Sequence, residues 1–509
     1  MSRVHVVTVC YRVYGAVVQW SAVHELIVMV LALGLVATAL DGGSGPSAVQ
    51  ALAPAITLIT HDPAAQLRPE DSCVSAGCQV LVRLIDGAQS TIDFAIYGAR
   101  RQSDILSAVV RARQRGVRVR GVVNRDWSNN NYYADTPLWE AQLGDIRSDY
   151  ASEQRLNAAD KPFYPRPKCK PPAAFRGPVQ CIAYDAGANW IVAAHASLDN
   201  FASDNESDGS GDRIMHHKFF VVDGRRVFTG SANISDSDIG GYSANVMLVI
   251  DSAAVAAAYG AEFEQLWAGR FHSEKQRSAN TSFNVEGIPV RVLFSPQDKA
   301  VEAGVRPLLA QARSTIDLAI FYLTNKYITA DLLAAQQRGV RVRVIVDATS
   351  AENGYTKHEI LRAAGIQVKV EAWGGKMHAK AAAIDRKWLI AGSMNWTRAG
   401  DDTNDENTLL INSPRLAAQQ HAYFDALWRG IPERWLTDRP APESRESGTA
   451  CSDGIDNDFD GLIDSVADNA DPGCSGRAVL APLPGHRVIS KGESPAPPAG
   501  YTLVRGYGR

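Results

Sequence analysis

One stretch of this sequence occurs twice, and this duplication limits the possible folds more than any other feature. The first copy spans residues 215–233 and the second spans residues 377–395. In each copy a histidine and a lysine lie two residues apart, an apolar run follows, and an aspartate precedes a Gly-Ser-x-Asn sequence. Short apolar runs of this kind predict buried strands. The chain is therefore expected to contain two similar strand hairpins.

The phase of the residues along each strand separates chemical from architectural positions. Side chains two residues apart point to the same face, so His216 and Lys218 should project together, as should Ser231 and Asn233. The corresponding residues of the second copy are His378, Lys380, Ser393 and Asn395.

The aspartate of each copy is expected to be architectural. Asp223 lies out of phase with Lys218, and the Asp223-Gly224 dipeptide is typical of a hairpin turn. Asp385 holds the same place in the second copy.

The sequences around the two copies also repeat. Residues 90–97 and 314–322 predict strands, and a helix follows each of them, the first with Ser103 as its cap. Both helices lead through an Arg-Gly-Val-Arg-Val-Arg sequence into a further strand, and both halves end in similar helices. This alternation predicts an α/β layered architecture that is built twice.

The repeat places the first half at residues 72–270 and the second half at residues 271–435. The halves differ mainly by an insert in the first half, predicted at about residues 128–212. A long irregular insertion beside a catalytic strand is often a lid or a specificity loop. A decorated surface loop pinned by a disulfide is the alternative.

The N-terminal residues 1–39 resemble a secretory signal peptide, because a short apolar run at residues 26–36 precedes Ala37-Thr38-Ala39. A membrane anchor is the rival interpretation, for which the run is short. Residues 40–71 are expected to form a linker. The protein is therefore predicted to be secreted, or to reside in the cell envelope or periplasm.

The cysteines agree with export. Outside the predicted signal peptide they fall into local pairs, namely Cys73/Cys78, Cys169/Cys181 and Cys451/Cys474. An even number of cysteines in an exported chain predicts disulfides. Proximity in the sequence is the only basis for this pairing.

Composition bears on the partners. The 509-residue chain has a formal net charge of -3, which provides no general attraction to polyanions. A local basic groove could still bind nucleic acid, so the charge weakens that interpretation and does not eliminate it.

Two His-x-Lys-x4-Asp stretches, each followed by Gly-Ser-x-Asn on a repeated α/β unit, resemble the phospholipase D superfamily over about residues 72–430. The resemblance implies a duplicated phospholipase D-like fold, in which two mixed β-sheet halves flanked by helices are related by a pseudo-twofold axis. It also implies that His216 and His378 face each other. Such proteins hydrolyse or transfer phosphodiesters through a phosphohistidine intermediate, and no cofactor is expected for catalysis.

The resemblance assigns a role to each residue of the repeated stretch. The family pattern makes His216 the nucleophile and His378 the acid. Lys218 and Lys380 would offset the negative charge of the transition state. The groups that would help to hold the phosphoryl oxygens are Ser231, Asn233, Ser393 and Asn395.

Members of the superfamily usually supply an acidic residue, shortly after each Gly-Ser-x-Asn, that hydrogen-bonds the histidine of that half. Glu406 occupies this position in the second half, whereas Asn245 occupies it in the first. A carboxylate stabilises an imidazolium more than an amide does. His378 is therefore expected to have the better support for positive charge, and the polarity of the pair stays open.

Beyond a linker at residues 436–450, residues 451–474 contain aspartates at alternate positions beside Gly461, which is the spacing of calcium loops. The candidate ligands of a structural Ca²⁺ ion are Asp456, Asp458, Asp460 and Asp464. An acidic linker without an ion is the alternative. Residues 475–509 form the C-terminal tail.

Three functions fit these features. The first is a secreted phospholipase D-like phosphodiesterase that hydrolyses phospholipid headgroups or another phosphodiester, with transient contact to a membrane surface. The second is a secreted endonuclease of the same superfamily, which would bind nucleic acid. The third is a non-catalytic, calcium-dependent surface-binding protein, which the intact motifs in both halves disfavour. Nothing in the residues predicts an oligomeric state.

Overall fold

The computed structural model describes residues 54–66, 68–126, 128–159, 213–352 and 356–441, the cysteines at 451 and 474, and four short strands. Those strands are Cys10–Val13, Ala16–Gln19, Ile182–Tyr184 and Trp190–Val192. Four predictions therefore lie outside the described residues: the apolar run of the signal peptide, the Cys169–Cys181 disulfide, the aspartates of the calcium loop, and the C-terminal tail.

The first half is built on a mixed sheet. Its seven strands, within the part of the chain that the structure describes, are in spatial order Ile56–Thr60, Val246–Asp251, Arg226–Gly230, Lys218–Val222, Thr91–Ile96, Arg118–Val123 and Ile146–Ser148. The last three are parallel to one another, and the remaining neighbours are antiparallel.

The second half repeats this order and adds one edge strand. Its eight described strands are Ser282–Val285, Ile288–Ser295, Glu406–Asn412, Trp388–Gly392, Lys380–Ile384, Thr315–Ile320, Arg341–Val346 and Gln367–Val370. Every strand of the first sheet thus has a counterpart in the second. The duplicated α/β fold expected from the repeated motifs is confirmed.

Helices cover the sheets. In the first half the described helices are Ala76–Asp86, Ser103–Gln114, Thr136–Leu143, Tyr150–Ala159 and Ala253–Trp267. In the second half they are Arg306–Gln311, Lys326–Gln337, Ala348–Glu352, His358–Ala363, Arg398–Asp402 and Pro414–Gly430, with a π-helical turn at Val301–Val305. Among the described residues, no helix combines the length and the apolar character that crossing a membrane requires.

The two sheets pack face to face, and each has helices on its outer face. The apolar layer between the sheets draws residues from both halves, for example Phe219 and Leu248 from the first and Ala381 and Leu409 from the second. The outer face of each sheet packs on its own helices in a separate cluster. Burial of apolar area in these three layers is the main favourable term in folding.

The repeated Arg-Gly-Val-Arg-Val-Arg sequence and the closing aromatic helix meet in the structure. Arg120 donates to Asp93 and Glu264, and its guanidinium lies 4.9 Å from the centre of the Phe263 ring. In the second half Arg343 repeats this arrangement with its own carboxylates, Asp317 and Asp425, and with the rings of Phe424 and Trp428. Each repeat therefore fastens its last helix to its sheet in the same way.

The N-terminus of the helix Ser103–Gln114 departs from the prediction. Ser103 is the first residue of the helix, and Gln102, at a φ of 62°, occupies the cap position, but its side chain makes no hydrogen bond to the first turn of the helix. The amide of Ser103 donates instead to the carboxylate of Asp71, 3.0 Å away. A distant aspartate thus replaces the predicted local cap.

The insert was predicted at residues 128–212, and the predicted start of this range is too early. Its first part contains Ile146–Ser148, which pairs with Arg118–Val123 in the place that Gln367–Val370 takes in the second half. This strand is short and partly exposed, so its sequence carries little apolar pattern. The rest of the predicted insert lies largely outside the described residues.

Candidate active site

The aspartate of each repeated stretch closes a strand hairpin, as predicted. Asp223 and Asp385 have positive φ angles of 55° and 54°, a conformation that Asp tolerates better than most residues. The carboxylate of Asp223 accepts from the backbone amides of Gln89, Ser90 and Thr91, which lead into the neighbouring strand. These bonds hold the pKa of Asp223 below its usual value, although burial alone would raise it.

The two histidines and the two lysines are brought into one buried site. The exposed fractions are 9% for His216 and 7% for His378, and they are 2% or less for Lys218 and Lys380. Each lysine begins a strand, and its ammonium donates to the carbonyl of the histidine two residues earlier. The pairing expected from strand alternation is therefore observed.

Backbone hydrogen bonds across the pseudo-twofold axis join the histidine segments. The amide of His216 donates to the carbonyl of Asp405 over 2.9 Å, and the amide of Asp405 donates to the carbonyl of Ile214 over 2.9 Å. Reciprocally, the amide of Ala244 donates to the carbonyl of Lys376 over 2.8 Å. We call these contacts the seam. Each histidine segment thereby runs beside the loop that opens the last strand of the other half.

Because of the seam, each histidine takes its supporting side chain from the opposite half. Nδ1 of His216 lies 2.7 Å from Oε1 of Glu406, and Nδ1 of His378 lies 3.2 Å from Oδ1 of Asn245. The expectation that Glu406 supports His378 is therefore wrong. Glu406 follows Asp405, whose backbone pairs with the His216 segment, so the carboxylate reaches the histidine of the other repeat. His216, and not His378, has the direct carboxylate partner.

The serines of the two Gly-Ser-x-Asn sequences hold these supporting side chains. The hydroxyl of Ser231 donates to Oδ1 of Asn245 over 2.7 Å, and that of Ser393 donates to Oε2 of Glu406 over 2.6 Å. The structure thus gives both serines a positioning role. Their predicted contact with a phosphoryl group stays a prediction.

The asparagines of the same sequences differ between the halves. Asn233 is buried, and its Nδ2 donates to the carboxylate of Asp238 over 2.7 Å. Asn395 is more exposed, and its Oδ1 accepts from the amide of Tyr322 over 3.4 Å. Both lie in the site as predicted, and phosphate binding by them stays a prediction.

Aromatic rings line the site next to each histidine. The ring centres of Tyr97 and His216 are 5.5 Å apart, and those of Phe321 and His378 are 5.0 Å apart. The ammonium of Lys380 lies 5.0 Å from the centre of the Phe321 ring. Tyr97 and Phe321 are equivalent residues, since each follows the same strand of its half. In the sequence, the sign that these two rings belong to the site was their position directly after a strand.

Burial and the nearby lysines set the protonation of the site. Burial, followed by the charges of Lys218 and Lys380, holds the pKa of both histidines well below 6.5, so without a bound anion the imidazoles are neutral at pH 7. Burial lowers the pKa of Lys380 to about 7 and raises that of Glu406 to about 7. Burial also lowers the pKa of Lys218 well below its usual value. A neutral imidazole is a competent nucleophile, and a phosphodiester anion in the site would favour the charged form of both lysines.

His217 points away from the face of His216 and Lys218, because adjacent residues of a strand face opposite sides. It is fully buried between the sheets, where Nε2 lies 3.0 Å from Oε1 of Glu262. Lys275 contacts the same glutamate and also Asp405, with an Nζ–Oδ1 distance of 2.8 Å. This buried network therefore extends from His217 to Asp405, which is part of the seam. It was not predicted from the sequence.

The structure also bears on the other predicted sites. Two of the three predicted disulfides, Cys73–Cys78 and Cys451–Cys474, are present, and the third lies outside the described residues. Among the residues that are described, no group of three or more His, Cys, Asp or Glu side chains could hold a metal ion. The aspartates of the calcium loop predicted between Cys451 and Cys474 are not among the described residues.

Comparison with known proteins places this geometry in context. Residues 81–267 and 305–428 match the family described as "Cardiolipin synthase, PLD-like domain". A mitochondrial cardiolipin hydrolase of Chlamydomonas reinhardtii is 38% identical over 120 residues, which cover 24% of this chain and 54% of that protein. A phospholipase D of Rickettsia bellii is 36% identical over 106 residues, which cover 21% of this chain and 53% of that protein.

The chain thus spans about half the length of the curated relatives it matches. Among solved structures, a phosphatidylserine synthase of Haemophilus influenzae aligns over 74% of this chain and 87% of its own, at 13% identity and a TM-score of 0.47.

Proposed function

The chain belongs to the phospholipase D-like family whose pattern its two halves match, and from this premise we propose a secreted phosphodiesterase. Its proposed reaction is hydrolysis of the headgroup phosphodiester of a phospholipid through a phosphohistidine intermediate. The curated relatives named cardiolipin hydrolase and phospholipase D support this substrate class.

One observation carries the proposal. Two buried imidazoles, each held at Nδ1 by an oxygen from the opposite half, share a site with two lysines. Bonding at Nδ1 leaves Nε2 of each ring for chemistry. Two imidazoles with different partners, one a carboxylate and the other an amide, suit two different roles in one reaction.

The carboxylate partner favours His216 as the nucleophile. Nε2 of His216 would attack phosphorus, and the resulting phospho-imidazolium would be stabilised by Glu406. For this role His378 must enter the reaction as an imidazolium, a form that the negative charge of the bound phosphodiester would favour. As the bond from phosphorus to the leaving alkoxide breaks, its electron pair goes to oxygen, which takes the proton from Nε2 of His378 and leaves that ring neutral. His378 would then take a proton from water, whose oxygen attacks phosphorus and releases His216.

The cations of the site would act on the transition state. The ammonium groups of Lys218 and Lys380 lie beside the histidine backbone, where they can offset charge that grows on the non-bridging oxygens. Their burial strengthens this effect, because a low local dielectric magnifies each interaction. Asn233 and Asn395 would add amide donors.

Export rests on the predicted signal peptide and on the disulfides. Cys73–Cys78 and Cys451–Cys474 suit an oxidising compartment. A secreted enzyme with this substrate would meet the lipid at a membrane surface, and we propose a transient contact of that kind.

The test compares substrates and traps the intermediate. Purified protein, with EDTA present, should release headgroup from phosphatidylcholine or cardiolipin vesicles and should leave plasmid DNA intact. His216→Ala and His378→Ala should each abolish lipid turnover while the melting temperature is kept. With a labelled phosphodiester whose leaving group needs no acid, denatured His378→Ala should retain label on His216, and His216→Ala should retain none.

Plasmid cleavage without lipid turnover would replace the lipid substrate with nucleic acid. Activity on neither substrate would favour a non-catalytic surface-binding protein. Label on His378 in the His216→Ala protein would reverse the assigned roles.

A further inference from the structure

The two histidines differ in the charge of their direct partners. His216 has the carboxylate of Glu406 at 2.7 Å, whereas His378 has the amide oxygen of Asn245 at 3.2 Å. A neutral amide does much less than a carboxylate to stabilise an imidazolium. Burial and the neighbouring Lys380 and Lys218 also lower the pKa of His378 well below 6.5. The histidine that must carry a proton to the leaving group thus lacks a direct anionic partner of the usual kind.

A carboxylate from another position lies beside this pair. Oδ1 of Asp238 is 3.5 Å from Nδ1 of His378, and it accepts from Nδ2 of Asn245 over 3.4 Å. Asp238 is only 3% exposed. Asn245 therefore presents its oxygen to His378 and its amide nitrogen to Asp238. This orientation carries the influence of the buried charge to the imidazole.

The same carboxylate is held firmly on its other side. Oδ2 of Asp238 accepts from Nδ2 of Asn233 over 2.7 Å and from the backbone amide of Asn233 over 3.3 Å. The amide of Asp238 donates to the hydroxyl of Ser235 over 3.1 Å. Asp238 is thus fixed between the Gly-Ser-x-Asn sequence and the histidine of the opposite half.

The second half has no equivalent of Asp238. The residue at the same distance after its Gly-Ser-x-Asn sequence is Gly400. The next residue, Asp401, directs Oδ1 to the backbone amide of Val301 over 3.0 Å, away from either histidine. The half that has an amide at position 245 is therefore the half that has a carboxylate at position 238.

We propose that Asp238 is a positioning residue for general acid catalysis by His378, supplying the negative charge that Asn245 lacks. Its charge acts on the imidazole over the 3.5 Å between Oδ1 and Nδ1 and through the oriented amide of Asn245. When His378 gives its Nε2 proton to the leaving alkoxide, the ring returns to neutrality and Asp238 keeps its charge. This inference rests on the proposed phosphodiesterase function.

The test uses two leaving groups, because only a poor one needs a proton. Asp238→Asn keeps the size and most hydrogen bonds of the side chain but removes its charge. We expect kcat for a soluble short-chain phosphatidylcholine to fall about 10- to 100-fold, the range seen when a group that supports a functional histidine is lost. For bis(p-nitrophenyl) phosphate, whose leaving group needs little protonation, kcat should change by less than about 3-fold.

A relocated carboxylate provides the matched control. In the Asp238→Asn background, Asn245→Glu places a carboxylate where the second half has one, and it should restore most of the lost activity toward the lipid. In the Asn245→Glu background, Asp238→Asn should cost little. This non-additivity also tests the idea if Asp238→Asn alone is unstable.

The outcomes distinguish a failure of the role proposed for Asp238 from a failure of the proposed phosphodiesterase function. Equal losses on both substrates, with no rescue by Asn245→Glu, would reduce Asp238 to a structural brace for Asn233 and overturn the inference. A wild-type protein that hydrolyses neither phosphodiester would instead overturn the proposed function.

Discussion

The role of the motif aspartate can be tested at Asp385, where the structure predicts a change in stability without a change in chemistry. Oδ1 of Asp385 accepts from the amides of Ser314 and Thr315 and from the hydroxyl of Ser314, at 2.7 to 3.0 Å. Oδ2 accepts from the amide of Arg313 at 2.9 Å. These groups lead into the strand that pairs with Lys380–Ile384.

The magnitudes follow from these bonds. Asp385→Ala removes all four, and at about 0.5–1 kcal/mol each at this half-exposed turn the loss is about 3 kcal/mol. The positive φ adds about 1 kcal/mol, because alanine tolerates it poorly. Asp385→Asn keeps the conformation and an acceptor in the place of Oδ1, so its cost should be about 1 kcal/mol.

Urea denaturation measures these costs as shifts of the midpoint at constant m-value. The backbone amides hold the pKa of Asp385 below its usual 3.8, although burial alone would raise it. The stabilisation by the carboxylate is thus fully present above pH 3.8 and is lost as the pH falls through the lower pKa of the folded state. At neutral pH, kcat per folded molecule should stay within about 3-fold of the wild type, since Asp385 touches neither histidine nor lysine. A large loss of kcat in Asp385→Asn without a shifted midpoint would refute this assignment.

Two further predictions concern protonation and calcium. The pH profile of kcat/KM should be a narrow bell near neutrality, because Glu406, whose pKa is raised by burial to about 7, must be ionised, and Lys380, whose pKa is lowered by burial to about 7, must be protonated. Glu406→Gln should remove the rising limb, and a wild-type profile flat through neutral pH would contradict this. Asp458→Ala should abolish the rise in melting temperature that calcium causes and spare turnover per folded molecule; unchanged calcium dependence would remove Asp458 from the proposed site.

Much of the fold could be predicted from the sequence because the two repeats can be compared with each other. The same apolar strands, the same arginine-rich turn and the same closing helix appear in both halves, so each pattern is seen twice. The turn at Asp223 and Asp385 and the common face of His216 and Lys218 follow from strand geometry alone. These local rules depend only on neighbours in the chain, and the structure confirms them.

The predictions that failed depend on contacts that are distant in sequence. Counting residues after Gly-Ser-x-Asn finds Glu406 but cannot reveal that the seam delivers it to His216. Asp238 has no counterpart in the second half, so comparison of the repeats gives it no signal. The prediction that Ser103 caps its helix failed for a similar reason, since Asp71 reaches the amide of Ser103 from another segment.

The reciprocal exchange of Glu406 and Asn245 also constrains how the two repeats can diverge. A substitution at either position alters the reactivity of an imidazole encoded far away, so neither repeat can drift alone. The first repeat, which has the amide of Asn245 where the second has the carboxylate of Glu406, is also the repeat that places Asp238 beside His378. The two repeats are therefore chemically distinct partners, each incomplete by itself.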